Sequence, residues 1–118
     1  MILLDELRVT MSDYRKDLKE LYEVLGIEKA QARYDELQKQ VAEPGFWDDL
    51  DNSQKVLQES KSLENRINKY RKMEETLDDI LTLIELTMEE GEEESNTELN
   101  EEADQFVKEL ESLKLLLC

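Results

Sequence analysis

The stretch Glu43–Asp49, EPGFWDD, holds the only proline of the chain, its only tryptophan, one of its three glycines and one of its two phenylalanines. The rest of the 118 residues is nearly free of such side chains, so their clustering has a local cause. Pro44 pushes Glu43 out of the helical region, and Gly45 allows a sharp turn. Whatever helix precedes them ends there, and the chain folds back instead of running on as one rod. Phe46 and Trp47 are then expected to pack together as a plug beneath the turn. Asp48, Asp49 and Asp51 would favour the positive end of the next helix dipole.

Outward from this break the apolar residues fall into stripes with alternating steps of three and four, the signature of one helix face. Leu4, Leu7, Met11, Tyr14, Leu18, Leu21 and Leu25 form the first stripe, which stops at Gly26. A second, Ile27, Ala30, Tyr34, Leu37 and Val41, reaches the Pro44–Gly45 break. The third starts near Asp51, Asn52 or Ser53, each able to cap a helix, and reads Val56, Ser60, Leu63, Ile67, Tyr70, Glu74, Leu77, Leu81, Ile84 and Met88. Ser60 and Glu74 weaken this seam, and a helix of roughly 55 Å at 1.5 Å per residue would result unless it breaks near Tyr70–Glu74. The run EEGEEE, Glu89–Glu94, reads as a solvated loop, with Gly91 supplying a flexible backbone. SNTE, Ser95–Glu98, matches a capping box and opens the last stripe, Leu99, Ala103, Phe106, Leu110, Leu113 and Leu117.

All three glycines fall between stripes. The expected fold is therefore all-α: an antiparallel, coiled-coil-like bundle of about four helices, one of them long, forming a single domain over residues 1–118. Strict three-four spacing also suits an intermolecular coiled coil, and a dimer through the long helix is the alternative. Three breakers favour folding back.

The net charge of −16 is unevenly placed: −2 over residues 1–27, 0 over 28–42, −4 over 43–51, +4 over 52–73 and −14 over 74–118. The acidic half repels phosphate, which argues against broad contact with nucleic acid or anionic membranes. Within the positive segment, NKYRK at Asn68–Lys72 gathers three cations around Tyr70. In a long helix such residues usually keep one face wet, and RNA contact is the sharper reading. The lone cysteine, Cys118, fits a reducing, cytoplasmic setting, and the apolar opening MILL is too short for a signal-peptide core.

Catalytic chemistry finds little support. There is no histidine, no glycine-rich phosphate loop, and no partner to activate Cys118. Asp48, Asp49 and Asp51 lack the glycine and bidentate glutamate of a calcium loop, so capping or solvation is their simpler role. No catalytic residue, cofactor, metal or small-molecule substrate is expected.

The run LQKQVAEPGFWDDLDNSQKVLQESKSL, Leu37–Leu63, resembles the N-terminal domain of the bacterial peptide chain release factor 2 family. There a Pro-x-Phe-Trp-x-Asp element precedes a helix with a Gln-Lys pair, here Pro44, Phe46, Trp47, Asp49, Gln54 and Lys55. The likeness extends more loosely over the whole chain. It implies an accessory helical module of a translation termination factor that directs peptide release at UAA and UGA. Its implied partners are the GTPase-associated region of the large ribosomal subunit and, nearby, the class II release-factor GTPase. The family's Ser-Pro-Phe and Gly-Gly-Gln elements do not occur: the one proline follows Glu43, and no two glycines are adjacent. The candidate ribosome-contact face comprises Lys55, Lys61, Arg66, Lys69, Arg71 and Lys72. A free-standing coiled-coil adaptor or chaperone-like module is the alternative function, which a stable homodimer with an exposed apolar seam would favour.

Overall fold

A computed structural model of the chain describes residues 1–117. Cys118, considered above as a thiol, lies outside the described residues. The fold is all-α: α1 (Leu4–Val24), α2 (Ile27–Val41), α3 (Leu50–Glu89) and α4 (Thr97–Leu116), with one 3-10 turn at Phe46–Asp48. The α3 helix is continuous over 40 residues, about 60 Å at 1.5 Å per residue, with no break at Tyr70–Glu74.

The chain forms two compact units. One comprises Met1–Leu21 together with the chain from Lys72 on, and the other is Tyr22–Arg71.

In the first unit the ion pairs give the helix directions. Arg8 meets Glu85 and Arg15 meets Asp78, so α1 rises as α3 descends and the two are antiparallel. Lys114 reaches Asp17 at 2.6 Å, and Leu3 pairs with Glu94 in an isolated antiparallel bridge. From this bridge α1 and α4 therefore run in parallel. Leu4, Leu7, Met11, Leu18, Leu21, Met73, Leu77, Ile80, Ile84, Leu99, Ala103, Phe106 and Leu110 form the buried apolar set of this unit. Tyr14 stands edge-on to Phe106, with ring centroids 5.7 Å apart. Full burial of one such aliphatic or aromatic side chain stabilises by about 1.5–3 kcal/mol relative to exposure.

In the second unit Arg33 pairs with Glu59, Tyr34 with Glu64 and Gln38 with Ser60, which makes α2 and this part of α3 antiparallel. Ala30, Leu37, Phe46, Val56, Leu63 and Ile67 form its core cluster, with Tyr34 and Val41 packed against it. Ser60 is buried in the same row without penalty, because Gln38 Nε2 donates to its hydroxyl at 2.7 Å.

Three expectations about the ends of helices need correction. The cap of α3 is Asp49, ahead of the three candidates named from the sequence: its carboxylate accepts from the Asn52 N–H at 3.1 Å and its carbonyl from the Ser53 N–H at 2.9 Å. Asp49→Ala should cost about 1 kcal/mol, within a usual span of about 0.5–2, whereas Asp49→Asn should cost much less; urea denaturation distinguishes the two. The cap of α4 is Asn96, which accepts from the Leu99 N–H at 2.8 Å, in place of Ser95. Ser95 fails as a capping-box residue because its own N–H already donates to the Ile2 carbonyl at 2.8 Å, leaving Glu98 nothing to satisfy there. Gly91 is a fixed stop, with φ 89°: its N–H bonds the Met88 carbonyl and that of Glu92 the Thr87 carbonyl, the paired bonds of a Schellman motif.

The seam of α3 also departs from the expected register. Up to Tyr70 the buried row is as read, extended backwards to Ser53. Beyond it the row runs through Met73, Leu77, Ile80, Ile84 and Thr87, one residue earlier than Glu74, Leu81 and Met88. Two successive steps of three, Tyr70 to Met73 and earlier Ile67 to Tyr70, produce the change, the coiled-coil equivalent of an inserted three-residue step. Glu74 thereby leaves the row, and its carboxylate avoids the cost of burial.

Candidate interaction surface

The turn at the quoted stretch is built as its residues dictate. The Phe46 N–H bonds the Glu43 carbonyl at 3.2 Å, and Gly45 adopts φ 82°, ψ 0°. That is the third position of a type II turn, with Pro44 in the second, where its fixed φ fits. A Cβ at Gly45 would require the same left-handed backbone and would also meet Asp48 Oδ2 at 3.2 Å. The 3-10 turn follows at once, with the Asp48 N–H donating to the Gly45 carbonyl at 3.0 Å.

Here the plug reading is half wrong. Phe46 is 7% exposed and enters the core, whereas Trp47 is 62% exposed. The reason is geometric: successive residues of a 3-10 helix point about 120° apart, so neighbours cannot both face one core. The rings instead meet edge to face, centroids 5.0 Å apart and planes at 88°. Leu50, the first residue of α3, is 67% exposed, and no apolar stripe in the sequence includes it.

Lys55, Lys61, Arg66, Lys69, Arg71 and Lys72 are all exposed on α3, and at about 100° per residue Arg71 points away from the broad side that the other five occupy. Lys55 and Arg66 are eleven residues apart, about three turns, and Lys69 follows Arg66 by three; these form one row. Lys61 and Lys72, again eleven apart, form an adjacent row, joined to the first through Lys69, which precedes Lys72 by three. Arg71 leans over the Tyr70 ring, 5.8 Å from its centroid. Several of these cations are engaged locally: Arg66 donates to the Leu25 carbonyl at 3.3 Å, and Lys61 lies 3.4 Å from Glu64.

Elsewhere the polar groups fasten helices together. Arg33 grips Glu59 through two bonds of 2.7 and 3.0 Å, and these hydrogen bonds hold the Glu59 carboxyl below its usual range. The hydrogen bond to Glu64 raises the Tyr34 hydroxyl above its ordinary value, and the bond to Asp17 does the same for Lys114. Among the described residues no group of three or more carboxylate, cysteine or histidine side chains is placed to hold a metal ion. No helix among them is long and apolar enough to cross a membrane.

The PCRF domain family matches residues 30–118, three quarters of the sequence and both sides of the Pro44–Gly45 turn. The chain belongs to the PCRF domain family. Among its relatives, peptide chain release factor 2 of Clostridium perfringens is 34% identical over 105 residues, covering 89% of this chain and 29% of that protein. Peptide chain release factor 2 of Staphylococcus haemolyticus is 31% identical over 121 aligned positions, covering 97% of this chain and 31% of that protein. That of Neorickettsia sennetsu is 30% identical over 97 residues, with 82% and 27% covered. The PCRF chain described here thus spans about three tenths of the length of the relatives it matches. The resemblance read from Leu37–Leu63 falls inside the matched region.

Proposed function

We propose that this PCRF domain is a non-catalytic helical module of a translation termination factor, acting in the ribosomal step that releases the peptide at UAA and UGA. The observation that carries this reading is the family match over residues 30–118 with relatives named peptide chain release factor 2. Two features support a docking role over a chemical one. The sequence has no histidine and neither the Ser-Pro-Phe nor the Gly-Gly-Gln element. Its positively charged stretch, 52–73, lies on a single continuous helix, where the cations follow the helical spacing.

In this proposal the module docks against the GTPase-associated region of the large subunit, near the class II release-factor GTPase, and Lys55, Arg66 and Lys69 supply the cationic row facing ribosomal RNA. Lys61 and Lys72 flank that row, and Arg71, which points away from it, contributes less.

The test is a chimera in which this chain replaces the corresponding part of Clostridium perfringens release factor 2. It should release peptide from complexes stalled on UAA and UGA, while the isolated chain releases none. Changing Lys55, Arg66 and Lys69 to glutamate should weaken ribosome binding and lower the slope of log K against log salt by about one per lost phosphate contact. Release by the isolated chain would sink the non-catalytic reading. Unaltered binding and salt slope in the triple variant would remove the RNA-facing row.

A further inference from the structure

Three large apolar side chains stand in water at the start of α3. Trp47 is 62% exposed, Leu50 67% and Leu57 40%. They are not scattered. Trp47 lies in the 3-10 turn three residues before Leu50, which opens α3, and Leu57 follows Leu50 two turns later with Gln54 between them, one row distinct from the buried Ser53, Val56 and Ser60. Asp51, Gln54, Lys55, Leu57 and Gln58 line an open groove along the same turns. All of these residues belong to the unit Tyr22–Arg71.

A single exposed leucine needs no explanation, but a tryptophan and two leucines together make an apolar patch on the order of a few hundred Å², the size that marks binding surfaces on soluble proteins. Tryptophan is also the side chain most enriched among residues that dominate binding energy.

The charge around the patch selects the partner. Residues 43–51 contain four carboxylates, Glu43, Asp48, Asp49 and Asp51, and no cation. All four are exposed. Lys55, in the lining of the groove, is the one cation against these four carboxylates, so nucleic-acid phosphates and anionic lipid headgroups would still meet net repulsion at this end of α3. A second copy of the chain docking through the same patch would bring these carboxylates face to face across a two-fold axis. A polypeptide helix with apolar anchors at i, i+4 and i+7 and flanking lysines or arginines meets no such conflict: its anchors match the Leu50–Leu57 row and its cations the acidic rim.

We propose that Trp47, Leu50 and Leu57, rimmed by Asp48 and Asp51, form a docking surface for a basic amphipathic helix of another protein. The patch is smaller than the roughly 800 Å² per partner of a standard stable interface, so the contact is weak and reversible. Nothing in it depends on the ribosomal reading.

Trp47 is the only tryptophan in the chain and reports on its own surroundings. The probe is a synthetic helix with leucines at i, i+4 and i+7 and lysines elsewhere; a counterpart with glutamate for lysine and an oligouridine are the controls. The lysine helix should shift Trp47 emission to the blue, saturably, and the glutamate helix should not. Leu50→Ser with Leu57→Ser should weaken that binding by about tenfold or more, and Asp48→Asn with Asp51→Asn should flatten its salt dependence. Both double variants should stay folded, with the far-ultraviolet circular dichroism of the parent, because none of the altered side chains belongs to the buried core. Unmoved emission with the lysine helix, or full binding by the Leu50→Ser, Leu57→Ser variant, would overturn the proposal. A blue shift caused by oligouridine, or by raising the concentration of the chain alone, would equally overturn it in favour of RNA or self-association. These readings are taken without ribosomes, so failure here and failure of the termination-factor proposal are separate results.

Discussion

Phe46→Ala should destabilise the protein by about 3–5 kcal/mol, and Trp47→Ala, one residue on, by less than about 1 kcal/mol. The asymmetry follows from which ring has neighbours. Phe46 is 7% exposed and belongs to the cluster with Ala30, Leu37, Val56, Leu63 and Ile67. Removing its ring leaves a cavity between helices already fixed by the Arg33–Glu59 and Gln38–Ser60 contacts, so collapse cannot fill it. Trp47 is 62% exposed and loses chiefly its edge-to-face contact with Phe46. Urea denaturation followed by far-ultraviolet circular dichroism measures both variants without using the tryptophan signal. Equal losses would mean that Trp47 is buried in solution and that the surface proposed for it does not exist.

That contrast shows where the sequence could be read and where it could not. Pro44 and Gly45 dictated the turn through their own backbone limits, and the stripes of α1, α2 and α4 dictated helices, because both signals are local. The Leu37–Leu63 motif likewise led to the family later found over residues 30–118. Which of two adjacent aromatics turns inward depends on how the 3-10 turn meets the core, where Phe46 joins Ala30, Leu37, Val56, Leu63 and Ile67, residues distant in sequence. The cap of α4 depended on a residue far away: Ser95 was taken by the Ile2 carbonyl, a pairing no local pattern announces. The cationic residues were legible as a charged segment, but their division into two rows required the continuous helix.

The register of α3 supplies the other large expected effect. Ile80→Ala should cost about 2–5 kcal/mol, and Leu81→Ala about 1 kcal/mol. A seam extrapolated in steps of three and four from Val56 passes through Glu74 and Leu81; the observed row passes through Met73 and Ile80, and Ile80 is fully buried while Leu81 is half-buried. The physical choice lies at Met73 and Glu74. Keeping the extrapolated register would place a carboxylate in the core of the unit that already carries most of the acidic residues, at a desolvation cost of several kcal/mol unless it were paired. A three-residue step at Tyr70–Met73 avoids this while α3 stays one continuous α-helix. Thermal or urea unfolding of the two alanine variants decides between the registers. A larger loss at Leu81 than at Ile80 would mean that the seam runs straight, with Glu74 buried and neutralised by a partner. The larger loss at Ile80 would mean that the change of step at Tyr70 lets one 40-residue helix serve the cores of both compact units.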